Sequence, residues 1–176
     1  MAEAVASDVV FRNFEPGDGE AFRTLNEAWI EKHFRLEEKD RETLGDPQRH
    51  ILGKGGHIMM AERAGRPVGC CALIALGGGQ FEVAKMTVAE SERGRGLGRQ
   101  LLEHLIEFAR DRSISRLYLE TNTKLRNAIR IYEAVGFRHV PGDQVKPSPY
   151  TRANVFMEMT LYEGIPSRAW NPTTAG

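Results

Sequence analysis

The chain has 176 residues, of which 41% are hydrophobic, enough to bury one core and far from a disordered composition. Lys plus Arg and Asp plus Glu each total 24, so the formal net charge is zero and no basic field draws nucleic acid or an anionic membrane. Any phosphate site must therefore be local.

In chain order, Met1 to Asp8 is acidic and lacks a basic start followed by an apolar run, so no signal peptide is expected. No later stretch approaches the roughly 18 apolar residues of a membrane span. Val9 to Phe14 reads as a first strand, stopped by Pro16-Gly17-Asp18-Gly19. Phe22, Leu25, Trp29, Ile30 and His33 recur at helical spacing, and a second short helix runs from about Glu37 to Leu44, ending at Gly45-Asp46-Pro47. Gly53-Lys54-Gly55-Gly56 is a loop without the Gly-Lys-Ser/Thr ending of a nucleotide P-loop. His57 to Glu62 and Pro67 to Leu76 form a hairpin around Ala64-Gly65-Arg66, and Gly77-Gly78-Gly79 turns the chain into a third strand, Phe81 to Val88.

Leu97, Leu101, Leu102, Leu105, Ile106 and Phe108 mark a long helix, and Arg116 to Glu120 a strand. Leu125, Ala128, Ile129, Tyr132 and Val135 mark a further helix, stopped by Gly136 where a C-terminal cap belongs. Phe137 to Val140 and Asn154 to Leu161 are the last strands, separated by a loop holding Pro141, Pro147 and Pro149. The tail after Tyr162 reads as poorly ordered or as a docking arm. The whole is one domain of mixed α+β type. Cys70 and Cys71 are neighbours on a strand and point to opposite faces, so no disulfide forms and a reducing cytoplasm is the expected setting.

The chemistry concentrates where the strand ending near Val88 passes through Gly94, Gly96 and Gly98 into the helix that starts at Leu97. Glycines let backbone N–H groups approach an anion, the helix start adds partial positive charge, and Arg93, Arg95 and Arg99 add local cations. Strand, Gly/Arg turn and helix together make a diphosphate cradle; a plain exposed turn is the competing reading. A dinucleotide fingerprint, Gly-x-Gly-x-x-Gly in an early βαβ unit, is excluded: the third glycine comes one residue too soon and the preceding strands are antiparallel.

Thr87 to Phe137 resembles the central region of the GNAT superfamily of N-acetyltransferases. The run Val88 to Gly98 is similar to the family's coenzyme A loop (Arg or Gln, two residues, Gly, one residue, Gly or Ala), met here by Arg93, Gly96 and Gly98. Ala128 to Phe137 is similar to its following helix-and-strand motif. The resemblance implies an α+β GNAT fold: a mixed, mostly antiparallel central sheet of about six to seven strands with about four helices. It implies one domain over residues 1–176, with its core at 9–161 and a C-terminal tail at 162–176.

It further implies acetyl-CoA as the acetyl donor, wedged where one strand splays from its neighbour. Main-chain groups around Met86, Thr87 and Val88 would hold the pantetheine arm and aim an N–H at the thioester carbonyl. Arg93, Gly94, Arg95, Gly96, Leu97, Gly98 and Arg99 would take the pyrophosphate. Tyr132 stands where the family places its general acid, which suits a leaving thiolate whose thiol has a pKa of about 8.5; a core aromatic on the helix stripe is the alternative. Glu82 falls where some members carry a catalytic base, and an edge-facing glutamate or a clamp on the substrate ammonium are its alternatives. One departure stands out: seven residues before Tyr132 the family often has an asparagine on the pantetheine arm, and here that residue is Leu125. Asn122 and Asn127 are the possible substitutes.

The acceptor in this family enters between the first two helices and the last hairpin loop. Trp29, His33 and Phe34 would form one wall and Tyr150 and Arg152 the other, an arrangement suited to a small amine that carries a carboxylate, such as an amino acid. Packing of the helix pair is the competing role for Trp29 and Phe34. The expected activity is acetyl transfer to a primary amine of a small molecule. The alternatives are an acetyl-CoA-binding regulatory module without turnover, and a protein or peptide N-acetyltransferase, against which the long 141–153 loop argues. No metal is expected, since the five histidines show no ligand spacing; a homodimer is a common family outcome.

Overall fold

The computed structural model describes residues 8–162. The N-terminal stretch and the tail beyond Tyr162 lie outside the described residues. Seven strands form one sheet in the order β1-β2-β3-β4-β5-β7-β6, with β1 Val9–Asn13, β2 His57–Arg63, β3 Arg66–Gly77, β4 Gln80–Val88, β5 Arg116–Thr121, β6 Arg138–Val140 and β7 Val155–Thr160. β2 to β4 form the expected antiparallel run, with β1 added antiparallel beside β2; β4 and β5 run parallel, and β7 pairs antiparallel with β5 and β6. The β2–β3 hairpin closes through Ala64 and Gly65 at φ 50° and 76°, the doubly left-handed pair that matches strand twist.

Helices cover both faces of this mixed sheet. On one face α4 (Leu97–Asp111) presents its buried stripe of Leu97, Leu101, Leu102, Leu105 and Ile106, and α5 (Arg126–Val135) contributes Tyr132. Together with Cys71, Leu73, Leu117, Leu119 and Met157 they make the larger core. On the other face α1 (Gly19–His33) and α2 (Glu38–Gly45) close a second core of Phe22, Ile30, Leu44, Ile58, Met60 and Cys70. Cys70 and Cys71 thus fall in different cores, as strand alternation requires, and both are free thiols.

A fifth helix, α3, makes one turn at Pro47–His50. The Gly45-Asp46-Pro47 stop is also a start: Asp46 Oδ1 accepts the Arg49 N–H at 3.0 Å, and proline suits the first helical position.

Two irregularities in β4 shape everything downstream. Its parallel pairing with β5 covers Gln80–Arg116, Phe81–Leu117 and Glu82–Tyr118 and then stops, so Val83 to Val88 leave β5 behind. On the opposite edge, Cys70 pairs with Thr87 and Ala72 with Ala84, leaving Lys85 and Met86 against the single Cys71. That extra residue is a β-bulge, and Lys85 takes a left-handed φ of 52°. A bulge bends and twists its strand, which turns β4 away from β5.

Candidate active site

Past Val88 the chain remains tied to the sheet through the Ala89 N–H, which donates to Val68 O at 2.7 Å. The short turn at Glu90–Glu92 is anchored twice. Glu92 is buried and accepts two Arg63 nitrogens from β2 at 3.0–3.2 Å; exposed Glu90 meets Lys32 of α1 at 2.7 Å. Gly94 and Gly96 then adopt φ values of 76° and 77°, where an L-residue would cost about 1–2 kcal/mol. α4 begins immediately, with no side chain capping it, so the N–H groups of its first turn lack partners within the helix. Arg93, Arg95 and Arg99 are all exposed around them, Arg99 pairing with Glu103 at 2.8 Å and Arg95 standing 4.0 Å from Glu92. Free amides, a helix dipole and three solvent-facing guanidinium groups suit a diphosphate.

The gap between β4 and β5 opens beside this turn. Its edges are the unpaired backbone of the Val83–Val88 stretch, which includes Met86, Thr87 and Val88, and the far end of β5. In an extended strand, alternate N–H and C=O groups face that gap. Glu82 sits at its apex, opposite Tyr118, on the face that carries Ile74 and the α1–α2 core. Burial first, and the neighbouring Glu120 second, push the Glu82 carboxyl up to about 7, with Lys85 acting in the opposite sense. Tyr132 approaches from the other face, in the larger core, edge-on to Phe137 at 6.0 Å. Burial raises its pKa above that of an ordinary phenol, so it stays protonated. Its hydroxyl makes no hydrogen bond among the described residues, so the ring packs as a core aromatic while the O–H remains unspent.

Glu120 and Tyr118 are additions that the sequence pattern did not single out. The Tyr118 hydroxyl donates to Glu120 Oε1 at 3.2 Å, and the Ser148 hydroxyl donates to Glu120 Oε2. The only signal in the sequence was alternation: Leu117 and Leu119 are core, so Tyr118 and Glu120 share the other face. That this face adjoins Glu82 follows from the parallel register. Asn122 is committed to the chain itself, its Nδ2 donating to Arg152 O at 2.6 Å and its Oδ1 accepting the Lys124 N–H at 2.9 Å. Asn127 is exposed on the first turn of α5.

The residues expected to wall the acceptor have other engagements. Trp29, His33 and Phe34 form an aromatic trio with centroids 5.1–6.4 Å apart, Trp29 and Phe34 also packing on the α1–α2 core. The His33 pKa is lowered, by burial and then by the charges of Arg93 and Lys32. Arg152 does not stand open toward a carboxylate ligand. Its guanidinium donates to both oxygens of fully buried Asp40 at 2.8 Å and to Glu37 at 3.1 Å. Lys85 completes the cluster, donating to Asp40 Oδ1 at 2.8 Å and to the Tyr150 hydroxyl at 3.1 Å. Three segments distant in sequence, α2, the β4 bulge and the 141–154 loop, are thereby fastened together. The two cations hold the Asp40 carboxyl well below the usual carboxylate range despite its burial.

Residues 20–137 match the Acetyltransferase (GNAT) family. This chain belongs to that family. Over 124 residues it is 36% identical to the IAA acetyltransferase of Azospirillum brasilense, covering 69% of this chain and 74% of that protein. It is 34% identical over 95 residues to the N-alpha-acetyltransferase RimI of Mycobacterium tuberculosis, covering 52% and 58%. A mouse relative, probable N-acetyltransferase family 8 member 5, is 32% identical over 100 residues, and the match spans 44% of its length and 54% of this chain. The fold matches a GNAT acetyltransferase of Staphylococcus aureus with a TM-score of 0.79 at 21% identity, over 88% of this chain and 99% of that one. It also matches yncA of Salmonella typhimurium, solved with its cofactor acetyl-CoA, with a TM-score of 0.69 at 22% identity over 90% and 96%. The GNAT match takes in α1, the β4–β5 gap, the Gly/Arg turn and Tyr132, and ends before Ser148, Tyr150 and Arg152. The 141–154 loop thus lies outside the match.

Proposed function

We propose that this chain moves the acetyl group of acetyl-CoA to a primary amine by direct attack on the thioester. The observation that carries the reading is the β4–β5 gap, which opens beside the uncapped Gly/Arg turn and has Glu82 on one face of the sheet and Tyr132 on the other. The Leu97, Gly98 and Arg99 amides, with Arg93, Arg95 and the Gly94–Gly96 turn, hold the diphosphate. The diverged backbone from Met86 to Val88 takes the pantetheine arm, and one of its N–H groups faces the carbonyl oxygen. Acetyl-CoA supplies the activated acyl group.

Glu82, with its carboxyl near half-ionised at neutral pH, removes the proton from the entering ammonium. The N–C bond forms as the C–S bond breaks, and Tyr132 gives its hydroxyl proton to the departing sulfur. Protonated amine and thioester become amide and thiol, and one proton returns to solvent. Both cysteines are buried free thiols, which supports a reducing, cytoplasmic setting.

The test is a melting curve with and without acetyl-CoA, joined to a free-thiol assay over amino acids, polyamines, aminoglycosides and a lysine peptide. Stabilisation by acetyl-CoA together with thiol release from at least one amine is the expected result. Stabilisation with no release across the panel marks a cofactor-binding module, and no stabilisation at all removes the donor site from the account.

A further inference from the structure

The acceptor side of the gap carries an uneven charge distribution. Glu82 at the apex and Glu120 two residues along β5 from its partner Tyr118 stand on one face, and neither belongs to an ion pair among the described residues. The groups bonded to Glu120 are neutral hydroxyls, of Tyr118 and Ser148, which hold a carboxylate in place without cancelling its charge. Three cations beside this pair are already engaged. Arg152 and Lys85 share Asp40, with Glu37 as a further partner of Arg152, two positive charges against two negative. Arg116 is paired with Glu158. What faces the reacting amine is therefore a net negative wall.

We infer that the acceptor is a primary amine whose amine-bearing carbon carries no carboxylate, and that the α-amine of a free amino acid is refused. The inference rests on the transfer reading above and narrows it. An ammonium is drawn toward Glu82 and Glu120, but a carboxylate on the adjacent carbon is brought within a few ångström of the same two groups, where like charges in a half-buried cleft repel strongly. Arg152, the side chain best shaped for a carboxylate, is not free to compensate it, because its donors are on Asp40 and Glu37. Selection is local to that carbon. Exposed Lys124, whose ammonium lies 5.8 Å from the Phe34 ring at the rim, leaves acidic groups farther along the acceptor tolerated. Amines of this description include polyamines, and α-amines whose carboxyl is masked as an amide.

The experiment compares matched pairs in the free-thiol assay: methionine with methionine amide, leucine with leucine amide, phenylalanine with phenylalanine amide. The amide of a pair should exceed its free acid in kcat/KM by at least about tenfold. Glu120→Gln keeps the size of the side chain and one acceptor oxygen, its NH2 donating to the other hydroxyl, and should shrink that ratio toward unity whatever it does to absolute rates. Free acids used as well as their amides by the parent enzyme overturn the inference and leave the transfer reading standing. A ratio unmoved in Glu120→Gln, in protein with an unchanged melting temperature, removes Glu120 from it. No thiol release from any pair or from the polyamines overturns the transfer reading and this inference with it.

Discussion

Replacing Asp40 by Asn tests whether α2, the β4 bulge and the 141–154 loop are held together by a buried charge cluster. The carboxylate is 0% exposed, Lys85 and Arg152 both donate to it at 2.8 Å, and their side chains are 5% and 17% exposed. Asparagine keeps the volume but leaves two largely buried cations facing each other, and breaking a buried pair in this way costs about 3–5 kcal/mol. Arg152 retains Glu37 at 3.1 Å, which places the expected loss near the lower end, about 3 kcal/mol. For a domain of this size each kcal/mol moves the melting temperature by about 2–4 °C, so Asp40→Asn should melt about 6–12 °C lower. The exposed pair Lys39–Glu42, 3.7 Å apart and 44% and 48% exposed, supplies the control. Glu42→Gln should change stability by no more than about 0.5 kcal/mol. The pH dependence has a definite sign. The folded Asp40 pKa lies below its ordinary 3.8, so its contribution is fully present above that value and is lost only as pH falls through the lower folded one. The gap between parent and variant should therefore stay constant from about pH 5 to 8 and close only in stronger acid. A loss under about 1 kcal/mol in urea unfolding, or one no larger than the Glu42→Gln control, refutes the assignment.

Two further predictions concern the chemistry. Tyr132→Phe should keep its packing on Phe137 and its melting temperature to within a few degrees, and lose about 10²–10⁴-fold in kcat with little change in acetyl-CoA affinity; intact turnover would return Tyr132 to a purely structural role. For Glu82, kcat/KM should rise with pH through an inflection near 7 that is missing in Glu82→Gln. Its folded value of about 7 lies above the unfolded 4.5, so ionising it costs stability as pH rises between the two, and Glu82→Gln should be at least as stable as the parent at about pH 8. An inflection that survives in Glu82→Gln would assign it to another group.

Element types and order are local properties, and they were readable in this chain. The Leu97–Ile106 stripe, the Ala64-Gly65 hairpin and the Gly136 stop each act within a few residues of themselves, so propensity and periodicity reached them. Asp46-Pro47 shows where local signals cut both ways, since the residues that end one helix also begin the next turn. The Gly/Arg turn lay within reach for the same reason: its glycines, arginines and helix start are contiguous.

The Asp40 cluster and the face shared by Glu82 and Glu120 are not contiguous in the chain and could not be read. Lys85 gave no sign of a left-handed bulge residue, because that conformation depends on how β4 pairs with β3. Arg152 looked available to a ligand until the fold brought Asp40 and Glu37 to it across more than a hundred residues of chain. Glu120 drew no attention until the parallel register set Tyr118 beside Glu82. The sequence by itself determined the Gly/Arg turn, the strand and helix that flank it, and the tyrosine that follows, because each rests on short-range backbone chemistry. Only the tertiary structure decided which charges meet across the β4–β5 gap, because whether a charged side chain is spent or free depends on its neighbours in space.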